Sequence, residues 1–321
     1  MKSILFEQFG GAEVIHLGKR ERPTIGDHEL LIDVVCAGVN PVDWKVREGF
    51  LAERAPHHFP ITPGWDVSGR VVEIGAKVKD FAKGDPVMAY CRKPSISEGS
   101  FGQAIAFYAI HTLPKPAQLS FAQAAALPLV SLTAWQALFD VANLQKGQTV
   151  FIPAGAGGVG SLAIQLAKWR GARVVTSGSA KNHLYLLELG AEKAIDYHQE
   201  AVVDSILQWA PDGVDVTLET LGETGIETAL RCTRPGGFIV TIAAPISPEQ
   251  AASAQVYTSS MLVRPDRQEL GQIVQLIIDG KIQVPPVEEL SLERAGEALE
   301  RIRMGHVRGK LVLRIAPEEG C

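Results

Sequence analysis

The chain is predicted to be α/β and built of two units, an all-β barrel or sandwich and a doubly wound parallel sheet. Three observations predict this. Up to about residue 120, Val- and Ile-rich runs such as Glu29 to Ala37 and Gly69 to Ile74 are short. Gly, Pro and Asp clusters at Pro60 to Gly64 and Lys83 to Pro86 separate them, the pattern of strands joined by tight turns. From about Gly147 the rhythm changes. Apolar runs at Thr149 to Pro153, Arg173 to Thr176, Lys193 to Asp196, Val214 to Leu218 and Gly237 to Ile242 alternate with helical patterns, which makes a βαβ series and a parallel sheet. Finally, 321 residues exceed one ordinary core and leave room for a cleft. A helix is expected near Gln268 to Asp279, then an amphipathic stretch at Leu292 to Met304 and a strand at Lys310 to Ile315.

Composition narrows the function. Hydrophobic residues at 46% and charged residues at 21% are globular values, so a disordered or fibrous chain is excluded. A formal charge of −5, with no cluster of Lys and Arg, argues against nucleic acid and for small-molecule partners. Glu7 and Gln8 fall where the apolar part of a signal peptide would run, and the best apolar stretch, Phe121 to Val130, contains Gln123 and Pro128. No leader and no membrane span are expected, and a cytoplasmic location is. Cys36, Cys91, Cys232 and Cys321 are widely spaced without a CxxC pair, which fits reduced thiols better than disulfides or a zinc knuckle.

Thr149 to Arg170, reading TVFIPAGAGGVGSLAIQLAKWR, carries the strongest local signal. Gly155, Gly157 and Gly160 fit G-x-G-x-x-G, with Gly158 and Val159 between the last two. A strand precedes them, and Val159, Leu162, Ala163, Leu166 and Ala167 follow with the period of a helix burying one face. At such a strand-to-helix turn, absent side chains let backbone N–H groups approach a pyrophosphate, which the helix dipole also favours. This is the fingerprint of a Rossmann dinucleotide site. An NAD site places a carboxylate at the end of the second strand, on the ribose 2′-hydroxyl. Here that region reads Thr176, Ser177, Gly178, Ser179, Ala180, Lys181, Asn182: hydroxyls and a cation, which suit a 2′-phosphate and predict NADPH.

With these residues in view, the chain resembles the zinc-independent quinone oxidoreductase (zeta-crystallin-like) branch of the medium-chain dehydrogenase/reductase superfamily, close to the alkenal/one oxidoreductases. The likeness spans nearly the whole chain. Its segments are AGVNPVDWKVREG from Ala37, FPITPGWDVSGRVVEIG from Phe59, FAKGDPV from Phe81, FAQAAALPLVSLTAWQAL from Phe121, AGAGGVGSLAIQLAK from Ala154, LGAEKAIDY from Leu189 and GHVRGKLVL from Gly305. The resemblance implies a GroES-like β-barrel catalytic domain made of residues 1–125 and 285–321. A six-stranded Rossmann NADPH domain, residues 126–284, is inserted between them, with a cofactor cleft at the junction. It leaves room for a homodimer.

The resemblance also assigns residues. Asn40 and Asp43 stand where relatives line the nicotinamide end, although the NPVD stretch could equally build a turn and cap a helix. Lys45 matches the lysine of the alkenal/one branch and would contact the cofactor or polarise a substrate carbonyl; the alternative is a solvated helix lysine. Thr133, Tyr197, Leu221 and Ala243 are implied cofactor neighbours, Tyr197 by the 2′-phosphate and Leu221 and Ala243 near the nicotinamide, and Lys310 is a further candidate. The phosphate-binding lysine of the family falls at Asn182, with Lys181 one place early. Zinc-dependent relatives need a cysteine near Asn40, a His-Glu pair at Trp65 and Asp66 and a four-cysteine lobe around Cys91; these are missing, and no metal is expected. His57 and His58 are expected to diverge in a loop. Without a Lewis acid, alcohol oxidation is hard, whereas a quinone or enone spreads the incoming charge over a conjugated system. The implied activity is hydride transfer from NADPH to quinones, enones or enals. A 2-enoyl thioester reductase and a non-catalytic NADPH-binding protein are the alternatives.

Overall fold

In the computed structural model, which describes residues 1–318, Lys2–Leu5 (β1) pairs antiparallel with His16–Lys19 (β2). The longest strand is Glu29–Gly38 (β3). Its Leu-Leu-Ile-Asp-Val-Val-Cys run is buried almost throughout, because both faces are covered. It turns at Asn40 into Pro41–Arg47 (α1), where proline occupies the first helical position, whose N–H would have no partner in any case. Asp66–Ile74 (β4), Pro86–Tyr90 (β5), Ala104–Tyr108 (β6) and Leu113–Pro114 (β7) follow. Phe121–Ala126 (α2) starts with a capping box: Ser120 Oγ accepts from Gln123 N at 3.1 Å, and Gln123 Oε1 accepts from Ser120 N at 3.0 Å.

The inner part of the chain then forms its own sheet. After Pro128–Trp135 (α3) come Thr149–Ile152 (β8), Gly158–Arg170 (α4), Arg173–Ser177 (β9), His183–Glu188 (α5), Lys193–Ile195 (β10), Val202–Trp209 (α6) and Val214–Glu219 (β11). Glu223–Cys232 (α7), Thr233–Thr241 (β12), Pro248–Ala254 (α8) and Tyr257–Ser260 (β13) complete it. The six strands run parallel in the order β10-β9-β8-β11-β12-β13, the doubly wound arrangement. The order reverses at β8, so ligands are favoured beyond the carboxyl ends of β8 and its neighbours.

Arg267–Ile278 (α9) leads back to Val287–Ser291 (β14), Ala295–Met304 (α10) and Lys310–Arg314 (β15). β15 lies between β14 and β3 in the first sheet, of order β14-β15-β3-β4-β5-β7 with β6 paired to β3. Leu311, Val312 and Leu313 are fully buried there, each contributing about 1.5–3 kcal/mol. Arg47 of α1 is also fully buried: Nη1 meets Glu300 Oε1 of α10 at 2.7 Å, and Nη2 meets Glu48 Oε1 at 2.7 Å.

Two compact units result. Unit 1 holds Met1–Leu129, Arg264–Gln275 and the chain from Val284; unit 2 holds Val130–Val263 and Leu276–Gln283. The resemblance puts residues 264–275 within the inserted domain, and in the structure they cluster with unit 1. Side chains decide this: Arg267 pairs with Asp80 and lies over the Phe81 ring, and Gly271 sits beside Leu113. Cys36, Cys91 and Cys232 are free and buried, and burial pushes the Cys36 and Cys232 thiols up to about 12. Cys321 lies outside the described residues. Among those residues no helix is long and apolar enough to cross a membrane.

Candidate functional site

In unit 2 the implied cofactor residues follow the carboxyl ends of successive strands: Gly155 after β8, Ser177 ending β9, Tyr197 after β10, Leu221 after β11 and Ala243 after β12. The three fingerprint glycines do different things. A Cβ on Gly155 would stand 2.1 Å from Thr176 Oγ1, and one on Gly160 would stand 2.5 Å from Ala154 O, so both permit close packing of helix on strand. A Cβ on Gly157 would meet only Ala154 O, at 3.4 Å. Gly157 is the N-cap of α4, offers no side chain to the helix end, and lies with Gly158 and Val159 partly open to solvent. The positive end of a thirteen-residue helix is thereby left bare.

Beside it, β9 ends without a carboxylate. Ser177 is buried and its carbonyl accepts from Gly155 N at 3.0 Å, which ties the two strand ends together. Ser179 caps a short helical turn that carries Lys181, which is exposed; Ser179 Oγ accepts from Asn182 Nδ2 at 3.2 Å. Tyr197 is 41% exposed, with the His198 ring 4.3 Å away. Leu221 is 49% exposed, and Gly222 next to it lies against Ala243. Thr133 is buried in α3.

In unit 1, Asn40, Asp43 and Lys310 form one buried cluster, joined by Asp66. Lys310 Nζ donates to Val39 O at 2.6 Å and to Asn40 Oδ1 at 2.7 Å. Asn40 Nδ2 donates to Asp66 Oδ2 at 2.8 Å, and Asp66 Oδ1 accepts from Leu129 N at 2.8 Å. Asp43 Oδ2 accepts from Asn40 N at 2.8 Å, and its Oδ1 from Gly64 N at 3.2 Å. Burial raises the Asp43 carboxyl to about 7 and Asp66 to about 6, against the pull of these N–H groups and of Lys310, whose own proton affinity burial lowers. One ammonium thus serves two buried carboxyls. Asn40 and Asp43 make the helix-capping contact that the sequence left open as an alternative. The Asn40 carboxamide is engaged at both ends, and the Lys310 ammonium is turned inward. Lys45, on α1, is half-buried with its ammonium 5.8 Å from the Trp44 ring centre. His57 packs with Phe9 and Phe59 while His58 is exposed.

Residues 26–126 match the alcohol dehydrogenase GroES-like domain family, and residues 189–313 match a family described as zinc-binding dehydrogenase. The chain is 33% identical to the 2-methylene-furan-3-one reductase of Solanum lycopersicum, over 99% of its own length and 80% of the relative's. It is 33% identical to the chloroplastic NADPH-dependent alkenal/one oxidoreductase of Arabidopsis thaliana, over 98% and 79%. The solved quinone oxidoreductase of Coxiella burnetii superposes with a TM-score of 0.88 at 34% identity, covering 98% of this chain and 99% of that one. The chain belongs to the quinone and alkenal/one oxidoreductase branch of the medium-chain dehydrogenase/reductase superfamily.

Zinc, which one matched family's description implies, does not suit the residues this member of the branch presents. Among the described residues no three His, Cys, Asp or Glu side chains gather to hold a metal ion. Asn40 and Asp66 are bonded to each other, and Cys91 Sγ lies against Gly64 O at 4.0 Å with its thiol pushed up by burial. NADPH does suit its residues, at the bare α4 terminus and the carboxylate-free end of β9. Two participants escaped the sequence reading. Asp66 was seen only as a failed zinc ligand, and its bond to Asn40 spans 26 residues. Glu219 ends β11 fully buried; the only sequence signal was a carboxylate closing an apolar strand just before Leu221 and Gly222.

Proposed function

We propose that the chain is an NADPH-dependent oxidoreductase that transfers hydride to quinones or other conjugated carbonyls, enones and enals, without zinc. The carrying observation is the bare first turn of α4 at Gly157–Val159 beside a β9 that ends in Ser177 and no carboxylate. The activities for which the relatives are named, quinone, alkenal/one and 2-methylene-furan-3-one reduction, support the acceptor class. Bound NADPH supplies the hydride. The N–H groups of Gly158 and Val159 hold the pyrophosphate, helped by the α4 dipole. Ser177, Ser179 and Lys181 recognise the 2′-phosphate with Tyr197 beside it, while Thr133, Leu221 and Ala243 bound the rest of the cofactor. In unit 1, the Lys310–Asn40–Asp66–Asp43 cluster fixes the corner from which α1 starts, and Lys45 on that helix polarises the acceptor oxygen. Charge arriving on a conjugated acceptor is delocalised, so a positioned cation and solvent protonation suffice.

A cytoplasmic homodimer completes the proposal. The three unpaired, buried cysteines fit a reducing compartment. β13 pairs with β12 alone and ends its sheet, with Tyr257 67% exposed, an edge suited to a second copy. Light scattering on purified protein tests the dimer. Steady-state NADPH oxidation with a panel of quinones, enones and enoyl thioesters tests the activity. Turnover of quinones or enones is expected; turnover of thioesters alone, or of nothing, overturns the reading.

A further inference from the structure

We propose that Glu219 is a positioning residue for the nicotinamide end of the cofactor site, acting through the turn that carries Leu221 and Gly222. This rests on the cofactor reading above and adds to it a residue that touches no ligand.

Glu219 is the last residue of β11, and none of it reaches solvent. Its carboxylate reaches forward around the chain. Oε1 accepts from Leu221 N at 2.6 Å and Oε2 accepts from Gly222 N at 3.1 Å. Both are charge-assisted bonds to main-chain donors, at the N-terminal end of α7, where the helix dipole favours an anion. Its carbonyl accepts from Ile242 N at 3.1 Å, so the same residue also holds the exit of β12 just before Ala243. Thr220 Oγ1 donates to Pro153 O at 3.3 Å, fastening the turn to the start of the glycine loop.

The surroundings are shaped to this carboxylate. A Cβ on Gly225 would stand 2.2 Å from Glu219 Oε1, so a glycine is needed for the carboxylate to lie there. Gly222 has φ +75°, a conformation side chains resist, and a Cβ on it would come within 3.6 Å of the Ala243 methyl. A methyl on Gly222 would just fill the space to Ala243, and Leu221 projects 49% exposed beyond the turn. Leu221 and Ala243 are the two residues assigned to the nicotinamide, and Glu219 sets the position of both. The adenine and 2′-phosphate end depends on Ser177, Ser179 and Lys181, which Glu219 does not hold.

That asymmetry gives the test. NADPH and 2′,5′-ADP share the adenine and the 2′-phosphate, and only NADPH carries a nicotinamide. Calorimetric titration of both into the wild type, Glu219→Gln and Glu219→Ala, with melting temperatures recorded alongside, separates positioning from general structure. Glu219→Ala is expected to weaken NADPH roughly tenfold while 2′,5′-ADP stays within about twofold. Glu219→Gln keeps the side-chain volume and one acceptor but turns an NH2 toward a main-chain N–H, and is expected to move the same way by a smaller factor; it decides the matter if the alanine variant does not fold. Equal weakening of both probes, or NADPH affinity at the wild-type level in a folded variant, overturns the positioning role alone. A wild type that binds neither probe overturns the cofactor reading and the positioning role together.

Discussion

Two alanine substitutions, two residues apart in the same glycine turn, should have opposite consequences. In Gly155→Ala the new methyl falls 2.1 Å from Thr176 Oγ1 and 2.9 Å from both Ile164 Cδ1 and Leu186 Cδ2, inside a packed helix–strand contact. Overpacking of this kind costs about 1–3 kcal/mol. Displacing Thr176 also weakens its 2.6 Å bond to Ile152 O, worth about 1 kcal/mol more. For a chain of 321 residues, with an unfolding entropy of about 0.7 kcal/mol/K, the melting temperature should fall by roughly 3–6 °C. In Gly157→Ala the backbone is extended, at φ −78° and ψ 177°, and the methyl meets only Ala154 O at 3.4 Å. The apo stability should fall by no more than about 1 kcal/mol, because the methyl fits and the only cost is that alanine caps a helix less well than glycine. The methyl does, however, enter open space at the helix end, where on the proposed reading the pyrophosphate would approach. NADPH at about a hundred times its dissociation constant stabilises a folded chain by about 2.7 kcal/mol, a rise of roughly 4 °C. Gly157→Ala should keep the apo melting temperature and lose most of that rise. Thermal scans of both variants with and without NADPH measure all four quantities. A Gly157→Ala protein that NADPH stabilises as fully as the wild type would refute the pyrophosphate assignment, and an unshifted Gly155→Ala would refute the packing reasoning.

Lys310→Met leaves Val39 O and Asn40 Oδ1 without their donor and two buried carboxyls without a counter-charge, so denaturant unfolding should show a loss of about 3–5 kcal/mol. Adding Asp66→Asn should recover part of it. Burial raises the Asp43 and Asp66 carboxyls to about 7 and about 6, so the folded chain binds more protons than the unfolded one above the ordinary carboxylate range. The stability their neutral forms contribute is full at lower pH and is lost as pH rises through those values. Asp66→Asn should therefore flatten the fall in urea midpoint between about pH 4 and pH 6. Lys181→Ala should narrow the preference for NADPH over NADH by about tenfold in binding titrations, and an unchanged ratio would remove Lys181 from the phosphate site. Lys45→Ala should lower kcat and kcat/KM together at an unchanged melting temperature; kinetics at the wild-type level would place it outside the chemistry.

What was legible in the sequence was local. The strand–glycine–helix stretch from Thr149 carries its whole meaning within about twenty residues, and the βαβ rhythm fixes a parallel sheet without knowledge of any distant contact. The seven family segments extended that reading to the β-rich unit. Long-range chemistry was not legible. Lys310 meets Asn40 across 270 residues, and nothing near either marks the partner. The carboxamide of Asn40 looked available for a ligand because its two bonding partners lie elsewhere in the chain. β13 was missed because Tyr257–Ser260 is short and polar, a strand made by pairing with β12 and not by its own pattern. That Arg264–Gln275 clusters with unit 1 was not legible for a similar reason, since a helix pattern does not say which core its side chains will seek.

The place of β15 has a consequence for the order in which the protein can be made. β3 leaves the ribosome early, yet one of its neighbours in the sheet is β15, some 270 residues later, and Arg47 waits equally long for Glu300. All six strands of the inner sheet are synthesised between those two events. The inner unit can therefore assemble during translation, while the first unit holds the flank of β3 at residues 36–38, beyond its pairing with β6, unpaired until the last strand arrives. That open end, carried by Cys36, Ala37 and Gly38 and adjoining the buried Val34 and Val35, is what a nascent-chain chaperone would have to shield in that interval.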